Sequence, residues 1–245
     1  MRIPNIYVSS HLDENASITL DDQAAQHIIK VLRMKKGFAL QLFNGDGCYY
    51  PATIATIDRR NVTVKTQDRI FCESESNLHT HLAIVMSRGD RMDYAIQKAC
   101  ELGVNHITPL TSERCEVRLD DQQEDKRIKR WQQIAVSACE QCGRATVPTI
   151  AQVENLENFV SANATNEALK LVLHHRDTQD LAKVSPAPER VIMLIGPEGG
   201  LTSDEINHAT QNNFMACTLG PRVLRTETAP VTILSVLQWL WGDFN

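Results

Sequence analysis

The features that most constrain this chain are strand-sized runs near its C-terminus that break abruptly at Gly-Pro. Val191-Ile-Met-Leu-Ile195 runs into Gly196-Pro-Glu-Gly-Gly-Leu201, and the segment 215–219 runs into Gly220-Pro-Arg-Val-Leu-Arg225. A continuous apolar run without alternation reads as a strand covered on both faces, as in the middle of a parallel sheet. A third run, 169–173, ends at Leu173-His174-His175. Ligands of open parallel sheets bind beyond the carboxyl ends of the strands. These three strand ends are therefore the first place to look for chemistry.

The rest of the C-terminal two thirds fits such a sheet. Strands are expected at 82–86 and 106–110. Helices are expected at 91–102 (Ala95, Ile96, Ala99 and Leu102 on one side, stopped by Gly103) and at 122–142 (Ile128, Trp131, Ile134, Ala135 and Ala138 as its stripe, stopped by Gly143). Thr202 and Glu205 form a capping-box pattern for a helix over 203–213, and a final helix is expected over 229–241. Alternation of this kind predicts an α/β domain with a mostly parallel sheet.

The first 70 residues read differently. Short strands at 17–20, 38–43, 48–57 and 61–70 surround a hairpin signal, Asn44-Gly-Asp-Gly47. Asp21 and Asp22 open a short helix running to Leu32, with Ile28, Ile29 and Leu32 as its apolar side. Short strands joined by tight turns predict a small β-barrel. Cys72-Glu-Ser-Glu-Ser-Asn77 is polar and aperiodic, which places the domain boundary there, with domains over 1–72 and 73–245.

No run approaches the roughly 18 to 20 apolar residues of a membrane span, and the N-terminus lacks the apolar core of a signal peptide, so a cytoplasmic protein is expected. Seven cysteines, odd in number and irregularly spaced, do not make a disulfide framework. Cys139-Glu-Gln-Cys142 has no second pair at zinc-like spacing, so no metal is expected. The net charge of −5 argues against nucleic acid for the chain as a whole. It is uneven, however: residues 1–72 carry 9 Lys and Arg against 7 Asp and Glu, the remainder 16 against 23. Phosphates meet the local surface, so a basic patch on the first domain stays open.

Gly196, Gly199 and Gly200 allow backbone to approach a ligand closely. A helix opening at Ser203 would aim free N–H groups into the same region. The loop is neither G-x-x-x-x-G-K-[ST] nor G-x-G-x-x-G, and Glu198 would repel a phosphate, so a neutral or cationic ligand suits it better. The second loop sets Arg222, Arg225 and Glu227 within six residues. A helix cap by Thr226 or Thr228 would not need three charges.

The runs Leu194-Ile-Gly-Pro-Glu-Gly-Gly-Leu201 and Leu219-Gly-Pro-Arg-Val-Leu-Arg-Thr-Glu-Thr-Ala229 resemble the RsmE family of ribosomal RNA uridine-N3 methyltransferases, in the SPOUT superfamily. Met1-Arg-Ile-Pro, Val31-Leu-Arg-Met34, Gln97-Lys-Ala-Cys-Glu-Leu-Gly-Val104, Pro109-Leu-Thr-Ser-Glu-Arg114 and Glu140-Gln-Cys-Gly-Arg144 are similar too, so the resemblance spans nearly the whole chain. It implies an N-terminal PUA-like β-barrel that holds RNA and a C-terminal α/β domain with a trefoil knot. It implies S-adenosylmethionine as cofactor, a homodimer, and N3-methyluridine in 16S rRNA of the small ribosomal subunit as product, with neither DNA nor membrane as partner. Carried onto this chain, the cofactor site comprises Leu173, His174, Ile195, Gly196, Glu198, Gly199, Gly200, Leu219, Gly220, Val223, Leu224 and Thr228. Arg225 would stabilise negative charge on the uracil oxygens and Glu198 would orient cofactor or base. RNA contacts are expected at Arg2, Arg33, Lys35, Lys36, Arg88, Arg91, Arg114, Arg144 and Arg222. Other readings of the same residues are transfer to a ribose 2′-oxygen and a non-catalytic RNA-binding protein. A nucleotide hydrolase fits poorly, because no phosphate-loop lysine is present.

Overall fold

A computed structural model describes residues 3–174 and 181–245. Arg2 and His175 lie outside the described residues. The chain forms two compact units, one of residues 1–75 with 136–147, the other of residues 76–135 with 148–245.

The first unit is built on strands β1 (Asn5–Tyr7), β2 (Ser17–Thr19), β3 (Ala39–Phe43), β4 (Cys48–Asp58), β5 (Asn61–Thr66) and β6 (Ile70–Phe71). They hydrogen-bond in the order β1-β3-β4-β5-β2, with β6 on β4. All of these pairs are antiparallel except β1 with β3. The hairpin between β3 and β4 forms as its sequence predicts. Gly45 and Gly47 take φ of 95° and 82°, and the Asn44 and Asp46 side chains each accept from the backbone N–H two residues on. The alternating strands bury Ile6, Leu40, Leu42, Ile54, Val62 and Val64 in one core.

Helix α1 (Asp22–Gln26) is capped by Asp21, whose Oδ1 accepts from Ala24 N at 2.8 Å. The expected α-helix to Leu32 is not what forms. After Gln26 the backbone widens into a π-turn over His27–Val31, where Leu32 N–H reaches back five residues to His27 O (3.0 Å). Only Ile28 of that turn is buried. Ile29 packs partly buried against the core but Val31 and Leu32 are exposed, so the hydrophobic face that would favour regular helix ends at Ile29.

Residues 136–147 join this unit. Glu140 accepts a hydrogen bond from Tyr7 N (3.0 Å), and Cys139 and Ala145 pack with Phe43 and Cys72. A boundary drawn along the sequence does not foresee this return of the chain.

The second unit is an α/β fold. Its strands are β7 (His79–Val85), β8 (His106–Thr111), β9 (Thr149–Ile150), β10 (Glu154–Asn155), β11 (Leu169–Leu173), β12 (Arg190–Ile195) and β13 (Met215–Cys217). Every pairing is parallel, in the order β10-β8-β7-β12-β11-β13, with β9 on β8. The helices are α2 (Arg91–Glu101), α3 (Asp121–Cys142), α4 (Leu156–Ala162), α5 (Ser203–Gln211) and α6 (Thr228–Trp241). The apolar strands β11 and β12 lie side by side in the sheet, as continuous hydrophobicity requires. Pro230 sits in the first turn of α6, where a missing N–H breaks no helical bond. Among the described residues no helix is long and apolar enough to cross a membrane.

Candidate functional site

Because β12, β11 and β13 are neighbours and parallel, their carboxyl ends open on one side. A cavity of about 570 Å³ lies there, within the size range of small-molecule sites. It is walled by the end of β11 (Leu173, His174), by the loop after β12 (residues 195–201) and by the segment after β13 (Cys217 to Leu219, Arg222 to Glu227 and Ala229), with Arg91 and Arg114 at its side. Of the expected cofactor positions, Leu173, His174, Ile195, Gly196, Glu198, Gly199, Gly200, Leu219, Val223 and Leu224 line it. Gly220 does not, but its φ of 84° turns the chain just ahead of Arg222. Thr228 is also set back, opening α6 beside an adjoining groove.

The first loop is a tight turn in which Gly200 N donates to Pro197 O at 2.9 Å and Gly200 takes φ of 68°. Gly196 is required for a different reason. A Cβ there would lie 2.9 Å from Leu201 Cγ, closer than carbon atoms approach without a shift, and a tight 3.1 Å from Leu201 N. After the turn, Thr202 and Glu205 cap α5 reciprocally: Thr202 Oγ1 accepts from Glu205 N (3.2 Å) and Glu205 Oε2 accepts from Thr202 N (2.8 Å). The Glu205 N–H, one of those expected to point freely towards a ligand, is thus already engaged. The buried Glu205 also accepts from Glu113 N at 2.9 Å, tying the segment after β8 to α5.

Charged residues decide the electrostatics. Glu198 lies near the first turn of α2, where Arg91 Nη1 donates to its Oε1 at 2.6 Å and Arg88 N approaches at 3.3 Å. Burial would raise the pKa of this carboxyl. The hydrogen bonds from backbone N–H groups and from Arg91 prevail and hold it below the usual carboxylate range, so Glu198 is ionised. Arg91 Nε also stands 4.0 Å from Glu227, whose other oxygen is 4.0 Å from Arg225. A chain of alternating charge therefore links the two loops. Arg225 itself is 80% exposed, but its carbonyl accepts from Thr228 N (2.9 Å) and Ala229 N (3.0 Å), which anchors its backbone to the start of α6. Burial pushes the thiol of Cys217, on the cavity wall, up to about 11, so it is neutral and no nucleophile.

The nine cations expected to meet RNA separate into groups. Arg33, Lys35 and Lys36 are exposed on the first unit. Arg88 is exposed and pairs with Glu116. Arg91 and Arg114 serve the cavity instead: Arg91 holds Glu198, and Arg114 Nη1 donates to Gly199 O at 2.9 Å. Arg222 lines the cavity. Arg144 corrects the expectation outright. Its side chain is 3% exposed and grips Glu75 with two nitrogens, at 2.9 and 2.7 Å, so it is internal structure and unavailable to a phosphate. Sequence reasoning missed the roles of Arg91 and Arg114 at the cavity, since nothing local to α2 or to β8 signals which loop will lie opposite.

Residues 74–238 match the RNA methyltransferase domain family and residues 20–67 the RNA methyltransferase PUA domain family. A relative from Buchnera aphidicola, named ribosomal RNA small subunit methyltransferase E, is 36% identical, with 100% of this chain and 96% of the relative covered. A solved ribosomal RNA small subunit methyltransferase E from Neisseria gonorrhoeae, bound to S-adenosyl methionine, is 35% identical with a TM-score of 0.93, both chains fully covered. A solved structure from Legionella pneumophila, in complex with the bound cofactor SAM, is 40% identical with a TM-score of 0.95, again over all of both chains.

Proposed function

The chain belongs to the RNA methyltransferase family that includes these small subunit methyltransferase E relatives, and on that premise we propose that it methylates N3 of a uridine in 16S ribosomal RNA, with S-adenosylmethionine as donor. One observation carries the reading: a cavity of cofactor size at three adjacent strand ends, closed by two Gly-Pro loops and rimmed by an exposed arginine. The residues suit the donor. Leu173, Ile195, Leu219 and Leu224 give apolar walls, Gly196 permits the close turn of the loop, and the ionised Glu198 suits a ligand that bears positive charge. The loop has neither the lysine nor the open helix end that a phosphate would need.

When bound, S-adenosylmethionine supplies a methyl group activated by its sulfonium. The chain's task is to position that donor against the acceptor and to stabilise the charge that develops. Arg225 is permanently cationic, fixed at its backbone, and its exposed head is held only by a 4.0 Å ion pair with Glu227. As uracil N3 gives its imide proton to solvent water at the open rim, negative charge spreads to the ring oxygens, and Arg225 is the group to meet it. Glu198 orients the donor through the loop it anchors. Its hydrogen bond to Arg91 and its lowered pKa make it a poor base.

The proposal includes the finer architecture. One cavity walled by the end of β11 and by the segments after β12 and β13 is what a knotted C-terminal region would produce. The antiparallel first unit, matching a PUA family, fits a barrel that holds RNA. Helix α6 is apolar on most sides and leaves Trp239 61% exposed, which supports pairing of two chains. Acting on the small subunit, the enzyme would work in the cytoplasm.

The test has two parts. Calorimetry should show S-adenosylmethionine uptake, and small subunits lacking the modification should gain N3-methyluridine, read by nucleoside mass spectrometry. A 2′-O-methylated product would replace the acceptor assignment. Absence of donor binding by the folded protein would end the proposal.

A further inference from the structure

Between the π-turn and β3, residues 30–38 form an exposed strap on the first unit. Every residue from Val31 to Phe38 is exposed except Met34, which is buried in the core and pins the strap at its middle. The strap is built rather than loose. Met34 N donates to Ile28 O (3.1 Å), Phe38 N to Lys35 O (3.1 Å) and Gly37 N to Ile54 O (2.8 Å), and Phe38 O accepts from Ile54 N (3.0 Å). Gly37, at φ 86°, completes a tight turn over Lys35–Phe38, and Arg33 takes φ 51°, which a non-glycine residue adopts only when its surroundings hold it.

The strap is chemically two-sided. Lys30, Arg33, Lys35 and Lys36 are cations, the segment contains no carboxylate, and no described residue pairs with any of the four. Elsewhere Arg69, Arg88, Lys98, Arg130 and Arg144 each hold a carboxylate. Among these free cations stand exposed apolar groups: Val31 at 66%, Leu32 at 37% and the Phe38 ring at 40%. Phosphates alone would call for cations alone. A duplex hides the faces of its bases and offers no partner for the ring. An unpaired strand offers both, phosphates for the cations and open base faces for the aromatic and aliphatic groups.

We propose that this strap binds unpaired RNA, with Lys35, Lys36 and Arg33 on the phosphates and the Phe38 ring stacked on a base. The inference rests on the proposed action on ribosomal RNA and names the form in which that RNA is held.

The test uses the full chain and fluorescence anisotropy across a salt series, with a labelled uridine-rich single strand of about twelve nucleotides and the same sequence closed into a duplex. The single strand is expected to bind at least tenfold tighter. Phe38→Ala should weaken it by roughly tenfold with the salt slope unchanged, because stacking is lost and no counterion is involved. Phe38→Trp should restore it and Phe38→Leu should not. Lys35→Ala with Lys36→Ala should weaken both RNAs and flatten the logarithmic salt slope for the single strand by about 1.4. Equal binding of duplex and single strand, or a Phe38→Ala variant that binds like wild type, would overturn the inference. Donor affinity and methyl transfer to small subunits, measured alongside, separate that outcome from failure of the proposed function, which would remove transfer by the wild-type chain as well.

Discussion

Lowering the pH should weaken the second unit, chiefly through one largely buried histidine. His81, on β7, places Nε2 2.8 Å from Thr108 Oγ1, with the ring edge-on to His106 (centroids 4.5 Å apart) and to Phe159 (5.4 Å). Burial, then the neighbouring His106, lowers its pKa from 6.5 to about 3. The unfolded chain therefore takes up this proton more readily than the native one. The contribution is fully present above pH 6.5 and is lost as pH falls from 6.5 towards 3. Each pH unit in that window is worth at most about 1.4 kcal/mol, so moving from pH 7.5 to 5.0 should cost about 2 kcal/mol through this group. Burial also lowers the pKa of His106, opposed by Glu154, and adds in the same direction. Trp131, Trp239 and Trp241 are the only tryptophans and all belong to the second unit, so urea unfolding followed by tryptophan fluorescence reads this unit alone. Carboxylates contribute to the pH dependence too, and the comparison with His81→Gln cancels them. Wild type should lose about 2 kcal/mol more than the variant between the two pH values. Equal losses would refute the linkage.

Arg225→Ala should reduce methyl transfer to small subunits by at least about 100-fold, while calorimetry shows donor affinity within threefold of wild type. Gly196→Ala forces a Cβ against the Leu201 side chain and should weaken donor binding by roughly tenfold, an overpacking cost of about 1.4 kcal/mol read by calorimetry. Arg144→Ala should destabilise the first unit by about 2–3 kcal/mol in chemical denaturation, since Glu75 loses both hydrogen bonds but keeps some access to water. Its RNA salt slope should match wild type, which would not hold if Arg144 met a phosphate.

Much of the site was legible because its signals are local. Apolar runs, Gly-Pro breaks and the Thr202–Glu205 box lie within a few residues of the structure they specify. Strand β11 and helix α2 fall within a residue of expectation for the same reason. What escaped depends on partners distant in sequence. Strand β1 has three residues and exists because it pairs in parallel with β3, across more than thirty residues. Helix α4, absent from the sequence reading, is only seven residues long and is stabilised by burying Leu156, Phe159 and Val160, with Asn155 as its cap. Arg144 and Glu75 are 69 positions apart, and charge counting cannot tell a buried pair from a phosphate contact. Arg91 looked like one more basic residue until the fold set Glu198 and Glu227 beside it.

Glu205 gives the cavity a shared fate. One carboxylate grips the amide of Thr202 on the glycine turn and the amide of Glu113, next to the arginine that steadies Gly199. Two stretches of chain ninety residues apart thus depend on the same two oxygens. Evolution can retune the lining of this wall residue by residue, but it cannot release one stretch without loosening the other.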